Sequence, residues 1–394
     1  MYYLTRMNFF SNRAHAHTIS KTAEALGKIP GLDFCLVSTD SSLKRPGDRI
    51  KYEKAHNITT PFNIRTLRSW SRIFSNSQSR LAFYVALVLD NKAIISFLWR
   101  NRKNIDVVYM RDHLLFPSAF FAYHILHKPI YFEAHFILTN KLGQYVTEWI
   151  VRHSKGVVAI AGALVEYYKN INPNVVLSYC AAAEMEGFTA ISDSKEKLRA
   201  ELGLPIDKTI LCYTGNMEKT GTGHSYGVED VINAIPLLND KYIFVGVGKK
   251  SQGRDELDEL AERIGVSSRI LMIYWQPRAI AAKYVAAADI LIIPKSGAQP
   301  GNSPTKTFEY LAANRPIVAA NTIPIAEVLK DGENALLVDY DKPNSWANAI
   351  VRLDGDQGLK LRIIGGARKS STLYTWDARA KTIYTLLTDL LIIK

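Results

Sequence analysis

Cysteine is scarce in this chain: Cys35, Cys180 and Cys212 are the only three in 394 residues, and none sits at metal-binding or redox spacing from another. A disulfide framework or a zinc ribbon is therefore excluded as the organising element. Cys35 and Cys212 fall inside apolar, strand-like runs and read as buried thiols of a reducing compartment. Apolar runs of the roughly 20 residues that span a membrane are also missing. The nearest, residues 81–89 (LAFYVALVL), stops at Asp90 and reads as a core helix. The opening MYYLTRMNFF enters a strand at once, without the basic-then-apolar pattern of an export signal, so a cytoplasmic protein is expected. No repeat of about 20–50 residues is present, which argues against solenoids and propellers. Asp-x-Asp occurs only in loop-like stretches and the carboxylates do not cluster, so no metal and no cofactor are expected.

What is present in excess is positive charge, and it is unevenly placed. Up to Met185 there are 23 Lys and Arg against 12 Asp and Glu, whereas the remainder is nearly balanced at 26 against 25. The first half should therefore meet an anionic partner. Arg65, Arg68 and Arg72 recur at helical spacing, with Trp70 and Phe74 offset from them, and Arg80, Arg100, Arg102 and Lys103 follow. Such a segment suits an anionic membrane surface, where each basic residue contributes about 1 kcal/mol. A solvated basic face is the plainer alternative. No nucleic-acid-binding motif accompanies the charge, so nucleic acid is not an expected partner.

Strand-like and helical patterns alternate twice along the chain. Strands are expected at 2–5, 34–37, 107–109, 130–132 and 157–160, and again at 210–214, 242–246, 270–274, 289–293, 317–320 and 335–338. Helical stretches such as 17–26, 254–264 and 280–287 separate them. The alternation predicts an α/β protein of two doubly wound, parallel-sheet domains, with a polar seam within 173–204. Ligands of open parallel sheets bind beyond the strands' carboxyl ends. There the sequence places Arg6, Arg13, Arg111, Asp112 and His135 in the first half. In the second it places Gly215 and Asn216, Lys249, Trp275–Pro277 and the loop 295–306.

The stretch 303–319, SPTKTFEYLAANRPIVA, sets a puzzle of its own. Ser303 suits an N-cap, Pro304 the first helical position, and Asn314 a left-handed helix end. Lys306 then falls in the first turn, where the helix dipole disfavours a cation by roughly 0.3–1 kcal/mol. An anion bound there would explain it, with Glu309 on the same face to accept from sugar hydroxyls. A surface Lys306–Glu309 pair is the competing explanation.

Taken in order, the motifs resemble glycosyltransferase family 4, whose members have the GT-B fold. NFFSNRAHAHTISKTAEAL (8–26), PIYFEAH (129–135), CAAAEMEGF (180–188), TILCYTGN (209–216), YIFVGVGKK (242–250), AADILIIP with the SPTKTFEY segment, and YTWDARAKTIYTLL (374–387) carry the resemblance. It implies two facing Rossmann-like domains: an acceptor-binding domain at 1–185, a nucleotide-sugar-binding domain at 186–374, and a helix at 375–394 that crosses back to the first. It further implies that His135, Lys306 and Glu309 form the catalytic group. Gly215, Asn216, Lys219, Lys249, Trp275, Gln276, Pro277, Gly301, Asn302, Ser303, Pro304 and Thr305 would hold the donor. On the acceptor and membrane side stand Arg13, His17, Arg65, Arg68, Trp70, Arg72 and Arg111. The chain departs from the family pattern at Gly301, where a first glutamate usually stands, and at Asn216 and Tyr226, in place of the usual Arg and Lys. The hinge segment shows Cys180-Ala181 instead of its common polar pair.

The resemblance implies a retaining, metal-independent hexosyl transfer from a nucleotide-diphospho-sugar to a glycan or lipid-linked acceptor, peripheral to the inner face of the plasma membrane. Lys306 and backbone N–H groups would stabilise the departing diphosphate, and His135 would orient rather than attack. A non-catalytic GT-B protein that binds a nucleotide or glycan for a partner enzyme is the second reading. A phosphorylase is disfavoured because no lysine context suits pyridoxal.

Overall fold

The structure, a computed structural model, describes residues 1–11, 14–69, 71, 79–179, 193–217, 225–249, 255–295, 303 and 305–391, with Ala14, Pro46, Lys249 and Leu391 described by backbone alone. The chain divides into two compact units, Met1–Cys180 with Trp376–Lys394, and Ala181–Thr375.

Unit 1 holds seven parallel strands: β1 (Tyr2–Thr5), β2 (Cys35–Ser38), β3 (Asn63–Thr66), β4 (Val108–Met110), β5 (Ile130–Ala134), β6 (Gly156–Ala159) and β7 (Val175–Leu177). Their spatial order is β3-β2-β1-β4-β5-β6-β7, so the winding reverses between β1 and β4. Unit 2 repeats the plan with β8 (Thr209–Thr214), β9 (Tyr242–Lys249), β10 (Ile270–Tyr274), β11 (Ile290–Ile293), β12 (Ile317–Ala320) and β13 (Leu336–Val338), ordered β10-β9-β8-β11-β12-β13. Here the reversal falls between β8 and β11. All pairs are parallel, and central strands such as β8, β11 and β12 are buried at consecutive positions and so on both faces, which is why they read as unbroken apolar runs. The two doubly wound domains expected from the alternation are both present.

Two strands escaped the sequence reading. β3 is an edge strand, NIRT, with no buried residue, and β7, VVL, is an apolar run of only three residues, too short to stand out. The placement of β3 also overturns the helical reading of Arg65 and Arg68: Arg65 is on that strand and Arg68 on the loop after it, while Trp70 and Arg72 lie outside the described residues.

In unit 1, helices α1 (Ala14–Gly27), α2 (Pro46–Ala55), α3 (Arg80–Arg100), α4 (Phe116–Phe120), α5 (Lys141–His153) and α6 (Gly162–Lys169) flank the sheet. One core joins Leu4, Val37, Ile94, Leu98, Met110 and Phe132; the other joins Tyr3, Phe9, Leu36 and Tyr109 to Ile383, Leu386 and Leu387. The latter three belong to the C-terminal helix Trp376–Leu391, which packs on α1 and β6. Each fully buried side chain there contributes roughly 1.5–3 kcal/mol.

α3 differs from its expected form. The helix does not stop at Asp90 but continues to Arg100, making it 21 residues long, and only part of it enters the core: Ile94, Phe97 and Leu98 do, whereas Leu81, Tyr84, Val88 and Trp99 are exposed. The charge that looked like a terminator is buried and neutralised: Arg6 Nε donates to Asp90 Oδ2 (2.9 Å) and Ser69 to Oδ1 (2.7 Å). By length and composition α3 would suffice to cross a membrane, contrary to the reading that no segment would.

Candidate functional site

In unit 1 the candidate side chains gather where the winding reverses. A cleft of about 510 Å³ opens at the ends of β1, β4 and β5, lined by Arg6, His15, Arg111, Asp112, His113 and His135 among others. Glu133 and His135 lie two residues apart at the end of β5, and period-two alternation turns both to one side of the sheet. His135 Nε2–H donates to Glu133 Oε1 (2.5 Å), and Nδ1 accepts from Arg111 Nη2 (3.2 Å), an arrangement that requires a neutral imidazole. Burial, followed by the Arg111 charge, pushes the His135 pKa down to about 4.

Glu133 is wholly buried and is the hub of this network. Tyr109 donates to its Oε2 (2.6 Å), and Arg379 Nη2 from the C-terminal helix stands 2.8 Å from the same oxygen. Burial pushes the Glu133 carboxyl up, but Arg379, His135 and Arg111 outweigh it and hold it well below the usual carboxylate range. Arg379 also donates to the Ser178 and Tyr179 carbonyls at 2.6 and 2.9 Å. The catalytic candidate is thus positioned by a helix some 240 residues away in sequence.

The buried histidines give unit 1 a defined pH response. His56, His113 and His135 all have pKa values lowered by burial. The unfolded chain therefore takes up protons first as pH falls, so stability is complete above about pH 6.5 and is lost progressively toward about pH 4. For His135 the loss between pH 7.5 and 5 should be roughly 2 kcal/mol. Thermal melts of the parent and of His135→Asn at both pH values test this: the variant should be less sensitive to acid. An identical acid loss in both would remove His135 from the network.

In unit 2 the strand ends approach each other closely. Gly248, at φ 131°, follows the bend of β9, and a Cβ there would collide with the Gly215 carbonyl at the end of β8. The Thr214 N–H donates to Tyr310 Oη (2.8 Å), tying β8 to the helix Thr305–Leu311. On that helix Lys306 Nζ donates to Glu309 Oε2 (2.5 Å), and Arg278 Nη2 stands 3.5 Å from Oε1. Glu309 is nearly buried and Lys306 is 29% exposed. Asn314 closes this segment at φ 52°, as expected of a left-handed end. The Ser303 hydroxyl makes no capping bond to it: Ser303 Oγ is buried without a hydrogen-bond partner among the described residues. Asn216 Oδ1 is in the same condition. Such groups are costly unless something supplies their bonds.

The remaining candidates divide. Trp275 is half-exposed after β10, Gln276 donates to the Tyr274 carbonyl, and the Pro277 carbonyl accepts from Ile280 and Ala281 to start the helix Arg278–Ala287. His17 does not line the unit 1 cleft; it packs near His56 and Trp376, while His15, two residues earlier on α1, takes its place. Arg13, Lys219, Gly301, Asn302 and Pro304 lie outside the described residues, as does the side chain of Lys249. Arg278, Arg379, His15, His113 and the role of Glu133 were not found by sequence reasoning. Only the Glu-x-His spacing signalled one of them; the others are brought in by tertiary packing.

Two separately wound parallel sheets, each with polar groups gathered at its reversal, are the plan of the GT-B fold. Residues 208–356 match the family model described as Glycosyl transferases group 1. D-inositol 3-phosphate glycosyltransferase of Xylanimonas cellulosilytica is 30% identical over 191 residues, 48% of this chain and 44% of that protein. The enzyme of the same name from Streptomyces bingchenggensis is 27% identical over 229 residues, 56% and 49% of the two chains. The chain spans about half the length of the curated relatives it matches. Among solved structures, sucrose-phosphate synthase of Thermosynechococcus elongatus superposes with TM-score 0.73 at 15% identity, covering 100% of this chain and 99% of that one. HepE of Anabaena, solved in complex with UDP, gives 0.72 at 17%, covering 98% and 99%. The chain has the GT-B fold, and residues 208–356 resemble the group 1 glycosyl transferases.

Proposed function

We propose that this protein transfers a sugar, with retention of configuration, from a nucleotide-diphospho-sugar to a glycan or lipid-linked acceptor in bacterial surface polysaccharide or glycolipid synthesis, and that it belongs to the SPxKxFEY subgroup. The observation that carries the reading is the Lys306–Glu309–Arg278 group in the same unit as two buried polar atoms, Asn216 Oδ1 and Ser303 Oγ, that lack partners among the described residues. The HepE structures with UDP and with UDP-glucose support a nucleotide sugar as donor, and WaaG, a structural neighbour involved in lipopolysaccharide biosynthesis, supports the pathway class. Unit 2 would take the donor: Glu309 the ribose hydroxyls, Thr305 and Lys306 the diphosphate, Trp275–Pro277 the base. Unit 1 would take the acceptor in the cleft of Arg6, Arg111 and His135, with an anionic bilayer as a further partner on the cytoplasmic side.

The chemistry follows from charge. Departure of the nucleoside diphosphate builds negative charge on its oxygens and positive charge on the sugar ring. A cation already aimed at the leaving group stabilises the transition state with no rearrangement. The acceptor hydroxyl attacks on the face the diphosphate leaves and gives its proton to it. A neutral His135, fixed by Glu133 and Arg111, orients the sugar and neither attacks nor ionises. Glycine at 301 and asparagine at 216, where the family usually has Glu and Arg, favour the second reading of a nucleotide-binding partner protein.

Thermal shift and hydrolysis assays against UDP-, GDP-, ADP- and TDP-sugars separate the two. Stabilisation by one of them, lost in Lys306→Ala and Glu309→Ala and accompanied by slow donor hydrolysis, is the expected result. Stabilisation without turnover, even with lipid-linked acceptors supplied, would support the binder instead.

A further inference from the structure

α3 has polar groups buried and apolar groups exposed. Toward the unit it buries Asp90, held by Arg6 and Ser69, and Asn91, whose Nδ2 donates to the Leu87 and Leu114 carbonyls and whose Oδ1 accepts from Ser118. Toward solvent it presents Leu81, Tyr84, Val88, Lys92, Ile95 and Trp99, spaced by three or four residues and therefore forming one stripe. Leu81, Tyr84, Val88 and Trp99 are 73%, 61%, 66% and 50% exposed. Ile94, Phe97 and Leu98 are packed into the core, so the helix lies along the unit and does not leave it to span a bilayer.

Two hollows flank this stripe. One, of about 770 Å³, is almost wholly apolar and is lined by Leu87, Val88, Ile95, Trp99, Pro117 and Phe121. Phe121 begins a π-helical turn, Phe121–Ile125, that also exposes Tyr123 and Ile125. The other, of about 500 Å³, gathers Arg65, Arg68, Lys92 and Arg100. Lys92 and Ser96 line both, forming the ridge between them. Among the described residues none of the four cations has a carboxylate at ion-pair distance.

We propose that this face docks on an anionic phospholipid bilayer, with hydrocarbon chain in the apolar groove and headgroup phosphate at Arg65, Arg68, Lys92 and Arg100. The proposal deepens the membrane-facing part of the function proposed above and rests on it. Charge decides the occupant. A second copy of the chain, seated on the same stripe, would bring two sets of unpaired cations together, whereas anionic lipid neutralises them. Tyr84 and Trp99 have the apolar body and polar tip that favour the bilayer interface. The sequence placed membrane contact on a basic helix through Arg65, Arg68 and Arg72; the structure moves its apolar part to α3 and leaves Arg65 and Arg68 as the phosphate side.

Flotation of the whole protein with phosphatidylcholine vesicles, with and without phosphatidylglycerol, tests the surface. Binding should need the anionic lipid, weaken about fivefold for each cation removed in Lys92→Ala and Arg100→Ala, and fall about tenfold or more in Val88→Asp/Trp99→Asp. Bromine-labelled acyl chains should quench fluorescence, and Trp99→Phe should abolish part of that quenching. Equal binding to neutral vesicles, binding without quenching, or a dimer dispersed by Val88→Asp would each overturn the proposal. Nucleotide-sugar thermal shifts, measured on every variant, verify folding and separate the two readings. Vesicle binding without any nucleotide response would sink the transferase reading alone; a nucleotide response without vesicle binding would sink the docking alone.

Discussion

Lys306→Ala is expected to lower glycosyl transfer by about 10²–10³-fold, the usual cost of removing one donor aimed at developing negative charge. Lys306 is the ammonium at the start of the helix Thr305–Leu311, and its present partner is Glu309 at 2.5 Å. On the proposed function, Arg278, already 3.5 Å from the other Glu309 oxygen, would keep that carboxylate partnered while Lys306 turned to an arriving diphosphate. The loss should therefore fall mainly on kcat. A carboxylate losing its closer cation costs about 1–3 kcal/mol, so a modest fall in melting temperature should accompany the variant, and Glu309→Gln should not show it. Steady-state rates at saturating donor, with melts alongside, check both halves. Unchanged kcat in Lys306→Ala would remove it from the diphosphate site.

Arg379→Met is expected to destabilise unit 1 by about 3–5 kcal/mol, because it leaves the fully buried Glu133 with its nearest compensating charge removed. For a unit of this size that corresponds to a fall of roughly 10 °C in melting temperature. The same substitution frees the Ser178 and Tyr179 carbonyls and loosens the C-terminal helix. Glu133→Gln in the Arg379→Met background removes the stranded charge and should recover part of the loss, a coupling that the double-mutant cycle measures. Because Glu133 fixes the His135 tautomer, the double variant should remain folded yet shift the pH dependence of activity. A single variant that melts like the parent would show that the Arg379–Glu133 pair contributes nothing.

Much of this architecture could be read directly from residue patterns. Strands buried on both faces must be apolar throughout, so β8, β11 and β12 stood out as unbroken runs, and the proline after β11 and the left-handed Asn314 marked their limits. Edge strand β3, exposed along its length, carried no such mark and was mistaken for part of a helix. Asp90 was read as a helix stop because a lone carboxylate in an apolar run normally ends burial. Arg6, 84 residues away, reverses that by neutralising it.

The sequence alone determined the two parallel-sheet units, the strand-end positions of His135 and of the Gly215–Asn216 turn, and the Lys306–Glu309 pairing on one helical face, since period and spacing are local properties of the chain. Only the tertiary structure decided that Arg379 holds Glu133, that His15 and not His17 lines the cleft, and that α3 turns an apolar stripe outward. Those features depend on which distant elements meet, and the burial and charge pairing that select them exist only once the chain has folded.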